Sequence, residues 1–326
     1  MPALRSAWGT SWRCGSGTAD VTLGPVSSVR PVVAVVGPTA AGKSELAVEL
    51  ALRLGGEVVN ADSMQIYRGM DIGTAKLTEA QRRGVPHHLL DVLDVTEPAT
   101  VAEIQRLARA AIDDCLARAT TPIVVGGSAL YVRAVLDRFD FPGTDARVRS
   151  RLERELAAVG AEAMHARLSQ RDPVAAAAIL PSNARRIVRA LEVVELTGRF
   201  AATLPGLQYA YPRAVQLGIA VPRDALDRRI AERVHHMWAA GLVEEVRALE
   251  RAGLRRARTA PRALGYAQVL AFLAGEYSEV EARERTIRAT RRFARRQESW
   301  LRRDPRICWL PGDAADLLEQ ALAWCR

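Results

Sequence analysis

The chain has 326 residues, 49% of them hydrophobic, which is enough to bury one large α/β core and an additional subdomain. Charged residues or glycines interrupt every apolar run before it reaches the length of a transmembrane helix, so we expect no membrane span and no membrane partner. There are 46 Lys and Arg against 37 Asp and Glu, and the net charge of +9 favours a polyanionic partner without identifying it.

The N-terminal segment and the cysteines bear on where the protein is found. Residues 1–30 mix Gly, Ser, Thr and Arg without periodicity and lack the apolar run of a signal peptide, which predicts a disordered N-terminal extension or a start assigned too early. The cysteines are scattered and form no C-x-x-C pair; they are Cys14, Cys115, Cys308 and Cys325. We therefore expect reduced thiols and a cytoplasmic location.

The first half of the chain alternates between strand and helix patterns. Val32–Val36 is a short apolar run, and Lys43–Leu54 follows it with leucines on one helical face. Residues 57–60, with Val58 and Val59 at their centre, and the apolar run 122–125 predict further buried strands. Because helical patterns separate these strands, the predicted fold class is α/β with a parallel sheet as its core. The match to G-x-x-x-x-G-K-[ST] at residues 37–44, between the first strand and the first helix, makes the predicted core P-loop NTPase-like.

The pattern changes after Pro142-Gly143. Residues 145–199 are almost entirely helical in pattern and contain no candidate strand, which predicts an all-helical insertion. The chain then returns to the sheet, with a strand at 214–221, helices at 224–252 and 278–300, and a last short strand at 307–310. We divide the chain accordingly into core residues 31–142 and 209–326 and a helical insertion at 143–208.

A phosphate-binding motif lies between the first strand and the first helix. It consists of Gly37, Pro38, Thr39, Ala40, Ala41, Gly42, Lys43 and Ser44, and it matches G-x-x-x-x-G-K-[ST]. In this context backbone N–H groups converge on phosphate oxygens, Lys43 adds a positive charge and Ser44 can bind Mg²⁺. The motif predicts a diphosphate or triphosphate ligand and a Mg²⁺ cofactor, and it is equally typical of ATP-binding proteins.

Asp62 follows the second strand and therefore lies at the edge of the sheet where open α/β folds bind ligands. A carboxylate there could accept a proton from an attacking amine or hold a metal through water. The alternative is a turn or helix cap formed with Ser63, and position alone does not separate these interpretations.

Two further clusters have structural interpretations. In the helix predicted at 278–300, helical spacing places Val280, Ile287, Phe293, Ala294, Trp300 and Leu301 on one side and Arg288, Arg292, Arg295 and Arg296 on the other. A basic helical face is more often solvated than bound to phosphates. The pairs His87-His88 and His235-His236 are adjacent in sequence, so their side chains diverge and favour structural roles over metal binding.

Several stretches of this sequence resemble the tRNA dimethylallyltransferases. The resemblance rests on the P-loop, on Ala61–Lys76 and on Gly126–Tyr131. It continues through 86–91, 172–173, 189–193, 263–266 and 295–302, and it covers roughly residues 31–310.

The resemblance implies a reaction and a catalytic set. In this family the enzyme clasps the tRNA anticodon stem-loop, and the adenosine 3′ of the anticodon is flipped into a channel that dimethylallyl diphosphate enters from the other end. Carried over to this sequence, the catalytic residues are Asp62 as general base, Ser128 in the channel and Arg223, which neutralises the departing diphosphate with the P-loop and Mg²⁺. The family usually has Thr at the position of Ser128, and the hydroxyl is retained.

The resemblance also implies the tRNA contacts. These are Asp62, Ser63, Met64, Gln65, Ser128, Arg149, Arg185, Arg186, Ile187, Val188, Arg189, Arg262 and Gly265. The insertion is therefore expected to grip the anticodon stem. We expect a monomer, because the sequence has no strong exposed apolar seam.

The main alternative is a small-molecule or nucleotide kinase, since a P-loop after the first strand is equally typical of that class. A kinase would normally also have an apolar strand that ends in an acidic, magnesium-positioning residue. Leu89-Leu90-Asp91 is the only moderate candidate, because 123–125 ends in Gly126-Gly127 instead. A nucleic-acid-binding module that merely retains a P-loop would leave Asp62 and Ser128 without a role.

Overall fold

The computed structural model describes residues 30–139, 141–201 and 205–325. The predicted N-terminal extension therefore lies outside the described residues, apart from Arg30. The described chain divides into two compact units, one formed by the residues up to Val135 and from Tyr211 onward, the other by Leu136–Ala210. No helix in the described part of the chain is both long and apolar enough to cross a bilayer.

The first unit is built on a six-stranded sheet in which every neighbouring pair is parallel. The strands are β1 Val32–Val36, β2 Gly56–Asn60, β3 His87–His88, β4 Thr121–Gly126, β5 Ala214–Ala220 and β6 Ile307–Pro311. Their order across the sheet is β3-β2-β4-β1-β5-β6. This architecture confirms the predicted fold class.

Twelve α-helices accompany the described strands. Those before the second unit are α1 Lys43–Leu54, α2 Glu79–Arg82, α3 Val101–Ala117 and α4 Ala129–Leu136. Those of the second unit are α5 Ala146–Arg171, α6 Pro173–Ala177 and α7 Ala184–Thr197. The rest are α8 Arg223–Ala239, α9 Leu242–Arg251, α10 Tyr266–Leu273, α11 Glu279–Leu301 and α12 Leu317–Cys325.

The core of the first unit lies between the sheet and its covering helices. All five residues of β1 are buried, as expected for a central parallel strand covered on both faces. Leu46 and Leu50 of α1 pack in the same cluster as Ile123 of β4 and Leu217 of β5. This packing fixes α1, and with it the loop that joins it to β1.

The second unit has its own core. Its central residues are Leu152, Met164, Leu168, Ile187 and Leu191, contributed by α5 and α7. Gly160, with a φ of 83°, interrupts α5. The predicted insertion at 143–208 lies within the bounds of this unit, which also includes a short antiparallel bridge between Asp137 and Tyr209.

Two sequence predictions need correction, and the short strand β3 was not predicted. The helix predicted at 224–252 is two helices, α8 and α9, because Gly241 adopts a φ of 96° between them. On α11 Ala294 and Leu301 are buried as predicted, but Val280 and Trp300 are 56% and 55% exposed, and Ala282, Thr286 and Gln297 are also buried. Small and polar residues face inward because α11 packs closely against α8 and α10.

Candidate active site

The candidate catalytic residues follow four adjacent strands. Asp62 follows β2, Ser128 follows β4, the phosphate loop follows β1 and Arg223 follows β5. Because these strands are parallel and lie in the order β2-β4-β1-β5, all four positions lie side by side along one edge of the sheet.

The phosphate loop has the backbone that an anion site requires. Gly37, Ala40 and Gly42 have φ values of 148°, 65° and 95°, and no side chain caps the N-terminus of α1. The first N–H groups of α1 are therefore available to an anion. A Cβ on Gly37 would lie 3.2 Å from the Ile219 carbonyl oxygen of β5, so the loop packs closely on the sheet.

Lys43 is held inside this loop. Its Nζ donates a hydrogen bond to the Pro38 carbonyl oxygen over 2.8 Å. Burial lowers the pKa of Lys43 to about 8, the negative charge of Asp62 partly opposes that shift, and the positive charge of Arg233 adds to it. The Lys43 ammonium therefore senses both the carboxylate after β2 and an arginine of α8.

Asp62 uses its two carboxylate oxygens differently. Oδ1 accepts the Met64 N–H over 2.8 Å, and the Asp62 N–H donates to Asn60 Oδ1 over 2.9 Å. Asn60 Nδ2 also donates to the Leu89 carbonyl oxygen, which fixes the turn to β3. Oδ2 has no hydrogen-bond partner among the described residues. Asp62 thus caps the turn with one oxygen and keeps the other available for a proton.

Arg223 is positioned by an acidic partner that the sequence did not reveal. Its Nη2 lies 2.6 Å from Glu298 Oε2 on α11, and its buried Nη1 has no hydrogen-bond partner among the described residues. Glu298 therefore fixes one side of the guanidinium, and the buried Nη1 keeps N–H groups that an anion could accept. Ser128 lies half-buried just before α4.

Gln297 of α11 joins the phosphate loop to the loop after β4. Its Oε1 accepts the Thr39 N–H over 2.9 Å, and only 7% of Gln297 is exposed. A Cβ on Gly127 would lie 2.3 Å from Gln297 Nε2 and 3.1 Å from the Gly37 carbonyl oxygen. Gly127 must therefore be a glycine for Gln297 to reach Thr39. Sequence spacing alone reveals neither the role of Gly127 nor that of Gln297.

A second carboxylate supports the loop that follows Asp62. Glu245 of α9 accepts N–H groups from Asp71, Ile72 and Gly73, and the Tyr266 hydroxyl donates to it over 2.5 Å. A Cβ on Gly73 would lie 2.4 Å from the Tyr266 ring. Glu245 and Tyr266 were not predicted as partners of this loop.

Asp91, the candidate for an acidic magnesium-positioning residue at the end of a strand, is already paired with a lysine. Lys76, whose side chain is 3% exposed, donates to Asp91 Oδ1 and to Asp71 Oδ1 over 2.6 Å each. Lys76 also donates to the Tyr67 carbonyl oxygen. Asp91 therefore neutralises a buried lysine, which disfavours a magnesium-positioning role for it.

Glu57, His88 and Cys115 also lie together, on β2, β3 and α3. Hydrogen bonds from Arg118 lower the pKa of Glu57 to about 2, and His88 Nε2 lies 2.6 Å from the same carboxylate. Burial, with the charge of Glu57, raises the pKa of the Cys115 thiol to about 12. A protonated thiol and a carboxylate already bound by Arg118 favour an ion pair over a metal site.

The residues predicted to contact tRNA differ in availability. Arg262 is exposed, whereas Gly265 is buried and precedes α10. Gln65 Nε2 donates to the Thr74 carbonyl oxygen, and Ser63 and Met64 are half-buried.

In the second unit the stretch 185–189 is divided. Arg185 and Arg186 are exposed, but Ile187 and Val188 are only 0% and 3% exposed. The side chains of Ile187 and Val188 are buried in the core of this unit, so the contact with tRNA that is predicted for them would have to involve their backbone.

Arg149 and Arg189 are held by one buried carboxylate. Both pair with Glu192, which is 0% exposed, and Arg189 also donates to the carbonyl oxygens of Pro142 and Gly143. Glu192 additionally accepts the Thr144 hydroxyl over 2.7 Å. Both arginines therefore stabilise the unit itself.

A cavity of about 920 Å³ opens beside the phosphate loop in the first unit. The loop contributes Ala40–Gly42, and α8 contributes Arg229, Arg233 and His236. Residues 71–78 and the segment around Gly312 complete part of its wall. This volume lies within the range usual for small-molecule sites.

A parallel sheet with a phosphate-binding loop after its central strand, and a partly unpaired carboxylate at the same edge, defines an α/β enzyme of the P-loop class. The family model described as IPP transferase matches residues 65–304. The chain belongs to the IPP transferase family.

Two relatives of high sequence identity agree with this assignment. The chain is 66% identical over 298 residues to the tRNA dimethylallyltransferase of Thermobifida fusca, covering 90% of this chain and 93% of that one. It is 67% identical over 289 residues to that of Streptomyces avermitilis, covering 88% and 92%.

Solved structures show the same architecture. The full-length tRNA isopentenylpyrophosphate transferase of Bacillus halodurans matches with a TM-score of 0.66 and 39% identity, over 91% of this chain and 94% of that one. A eukaryotic dimethylallyltransferase acting on tRNA matches with a TM-score of 0.74 over 90% of this chain and 77% of that one. At 24% identity, the second match shows the fold alone.

Proposed function

We propose that this protein transfers the dimethylallyl group of dimethylallyl diphosphate to N6 of the adenosine 3′-adjacent to the anticodon of tRNA and releases diphosphate. The observation that carries the proposal is the unpaired Oδ2 of Asp62 at the same sheet edge as the phosphate loop, close enough for its charge to affect Lys43. The relatives that are 66% and 67% identical are named tRNA dimethylallyltransferases.

The N6 lone pair forms a bond to C1 of the dimethylallyl group while the C1–O bond breaks, and its electron pair leaves with the diphosphate. The proton that N6 must lose passes to Oδ2 of Asp62, which releases it to solvent. Because an allylic carbon bears positive charge well, the barrier falls mainly through alignment of N6 with C1 and stabilisation of the departing diphosphate.

The phosphate loop provides that stabilisation. The N–H groups at the start of α1, the Lys43 ammonium and the unpartnered Nη1 of Arg223 would stabilise the charge that develops on the leaving group. Arg223 is already oriented by Glu298, so little reorganisation is needed when the diphosphate forms.

We also propose that the Ser44 hydroxyl binds Mg²⁺. The Ser44 hydroxyl is half-buried and has no hydrogen-bond partner among the described residues, and a hydroxyl is an oxygen ligand of the kind Mg²⁺ prefers. Mg²⁺ bound there would neutralise diphosphate charge.

tRNA is proposed as the acceptor that the basic chain attracts. Arg185 and Arg262 are exposed, and Arg185 makes no hydrogen bond or ion pair with any described residue. Asp62–Gln65 and Ser128 are the proposed contacts around the flipped base. We further propose a cytoplasmic monomer; Cys115, Cys308 and Cys325 are free thiols, as is usual in a reducing compartment.

The test is a transfer assay with unmodified tRNA, radiolabelled dimethylallyl diphosphate and Mg²⁺, with labelled ATP in a parallel reaction. We expect label on tRNA with the wild-type protein. Asp62→Asn keeps an acceptor for the Met64 N–H but cannot take the proton, so we expect it to lose about 10²–10⁴-fold in kcat with an unchanged melting temperature.

Asp62→Ala serves as the comparison because it also removes the turn cap, and we expect it to melt at a lower temperature than Asp62→Asn. Phosphate transfer from ATP without label on tRNA would overturn the proposal in favour of a kinase. Full activity of Asp62→Asn would overturn the assigned base while leaving the reaction intact.

A further inference from the structure

One face of α8 borders the 920 Å³ cavity beside the phosphate loop. Arg229, Arg233 and His236 have the i, i+4, i+7 spacing that places side chains along one helical face, and all three line the cavity. Ala40–Gly42 line it as well. A ligand in the phosphate loop therefore borders on this face of α8.

Arg233 is the unusual member of this face. It makes no hydrogen bond or ion pair with any described residue, although burial lowers the pKa of its guanidinium. Its charge also disfavours the protonated form of Lys43, so two cations share one partly desolvated region. Such an arrangement destabilises a protein unless an anion binds there.

Other half-buried arginines have a carboxylate partner. Arg149 pairs with Glu192, Arg167 with Glu155 and Arg306 with Asp304. Each of these guanidinium groups has a carboxylate of its own.

The carboxylates around the cavity do not supply a partner for Arg233. Glu49 pairs with Arg83 and Asp71 with Lys76. Glu45 and Glu232 are exposed, and neither lies within ion-pair distance of Arg233. The missing counter-charge is therefore expected from a ligand.

We propose that Arg233 is a diphosphate-binding residue that receives the prenyl diphosphate from the cavity side and holds the released diphosphate together with Lys43. This inference rests on the proposed function, because it requires that the phosphate loop bind a diphosphate. A guanidinium suits the role, since it can bind two oxygens of one phosphate at once.

The test measures binding of inorganic pyrophosphate in the presence of Mg²⁺ by titration calorimetry, and the KM for dimethylallyl diphosphate in the tRNA assay. For Arg233→Gln we expect pyrophosphate affinity to fall about 10–100-fold and the KM to rise in proportion, as for loss of a hydrogen bond to a charged group. Arg233→Lys restores part of the affinity because it keeps the charge. The matched control is Arg228→Gln on the exposed side of α8, which leaves affinity unchanged.

Melting temperature without ligand separates binding from support of the fold. Removing an unpaired, shielded charge should leave the Arg233→Gln melting temperature unchanged or higher. If Arg233→Gln binds pyrophosphate as tightly as the wild-type protein, or melts at a clearly lower temperature with unchanged KM, the inference is overturned while tRNA prenylation stands. If the wild-type protein neither binds pyrophosphate nor prenylates tRNA, the proposed function itself fails.

Discussion

At the scale of single residues, the candidate site depends on side-chain atoms that the protein itself leaves unpaired. Oδ2 of Asp62, Nη1 of Arg223 and the Ser44 hydroxyl have no hydrogen-bond partner among the described residues. Buried or half-buried polar atoms normally have partners. Three such atoms at one sheet edge are consistent with a site that a charged ligand completes.

Substitutions at Ser44 test whether its hydroxyl binds Mg²⁺. Ser44→Ala removes the only loop hydroxyl next to Lys43, so we expect the Mg²⁺ concentration for half-maximal activity to rise about tenfold or more. Ser44→Thr keeps the hydroxyl and should behave as the wild type, and removal of Mg²⁺ by EDTA should abolish transfer. A Mg²⁺ titration of the transfer rate for the three proteins decides; identical curves for wild type and Ser44→Ala would contradict the assignment.

The sequence predicts the identity of these residues better than their surroundings. The P-loop motif carries its own mechanism, so the positions of Lys43 and Ser44 follow from eight residues of sequence. Glu298 pairs with Arg223, which lies 75 residues earlier in the chain, and Gln297 bonds to Thr39, which lies 258 residues earlier. Both contacts depend on how α11 packs in the folded protein. No local pattern reports such contacts.

At the scale of elements, Gln297 connects α11 to both loops of the site, and this contact has a testable consequence. A Cβ at Gly127 would overlap Gln297 Nε2, so Gly127→Ala must displace the carboxamide and break its hydrogen bond to Thr39. Misplacement of the phosphate loop should lower kcat/KM about 10–100-fold.

A double-mutant cycle tests whether the loss of kcat/KM in Gly127→Ala arises through Gln297. Once Gln297→Ala has removed the carboxamide, Gly127→Ala has much less left to displace, so the double variant should be scarcely slower than Gln297→Ala alone. Additive losses in kcat/KM would show that Gly127 acts on something other than Gln297. Gly206→Ala, where a Cβ meets no neighbour within 4 Å and, as at Gly127, φ is not positive, controls for the added methyl group.

Elements with strong periodicity are those the sequence predicts well. β1 and α1 begin and end where they were predicted, because a five-residue apolar run, glycines and an amphipathic helix coincide there. β3 has two residues and no recognisable pattern, and the break at Gly241 depends on one glycine within a continuous amphipathic stretch. On α11 apolar spacing misleads because close helix packing selects small side chains, which leaves Val280 and Trp300 exposed.

Within the second unit, the buried carboxylate of Glu192 is expected to contribute to the free energy of unfolding. Glu192→Gln keeps an acceptor for Thr144 but leaves Arg149 and Arg189 without a counter-charge, so we expect a loss of about 3 kcal/mol in free energy of unfolding at pH 7. Glu195→Gln on the same helix, which breaks only partly exposed pairs, should cost less than about 1 kcal/mol. Urea unfolding measures both.

The pKa of Glu192 determines how its contribution to the free energy of unfolding depends on pH. Burial alone would raise the pKa of Glu192, but hydrogen bonds from Arg149, Thr144 and Arg189 outweigh it and lower the pKa below the ordinary 4.5. A lowered pKa means that the stabilisation is complete above pH 4.5 and is lost as the pH falls further. The difference between wild type and Glu192→Gln should therefore shrink at acid pH, and a difference that grew instead would contradict the ion-pair assignment.

At the scale of the whole molecule, the net charge of +9 has a consequence that does not depend on any single contact. Binding of a polyanion releases condensed counterions, so affinity falls steeply with salt in proportion to the number of phosphates contacted. Dimethylallyl diphosphate, the proposed donor, is small and would enter a site formed by backbone N–H groups, Lys43, Arg223 and Arg233. The two substrates should therefore respond differently to ionic strength.

We expect the KM for tRNA to rise at least about tenfold between 50 and 200 mM salt, as for three or more phosphate contacts, whereas the KM for dimethylallyl diphosphate changes much less. Arg185→Gln should reduce the slope of log KM for tRNA against log salt without lowering the melting temperature, because Arg185 is exposed and unpaired among the described residues. Arg189→Gln should lower the melting temperature, because it breaks the pair with Glu192. Equal salt slopes for both substrates would mean that the basic charge of this chain does not serve tRNA binding.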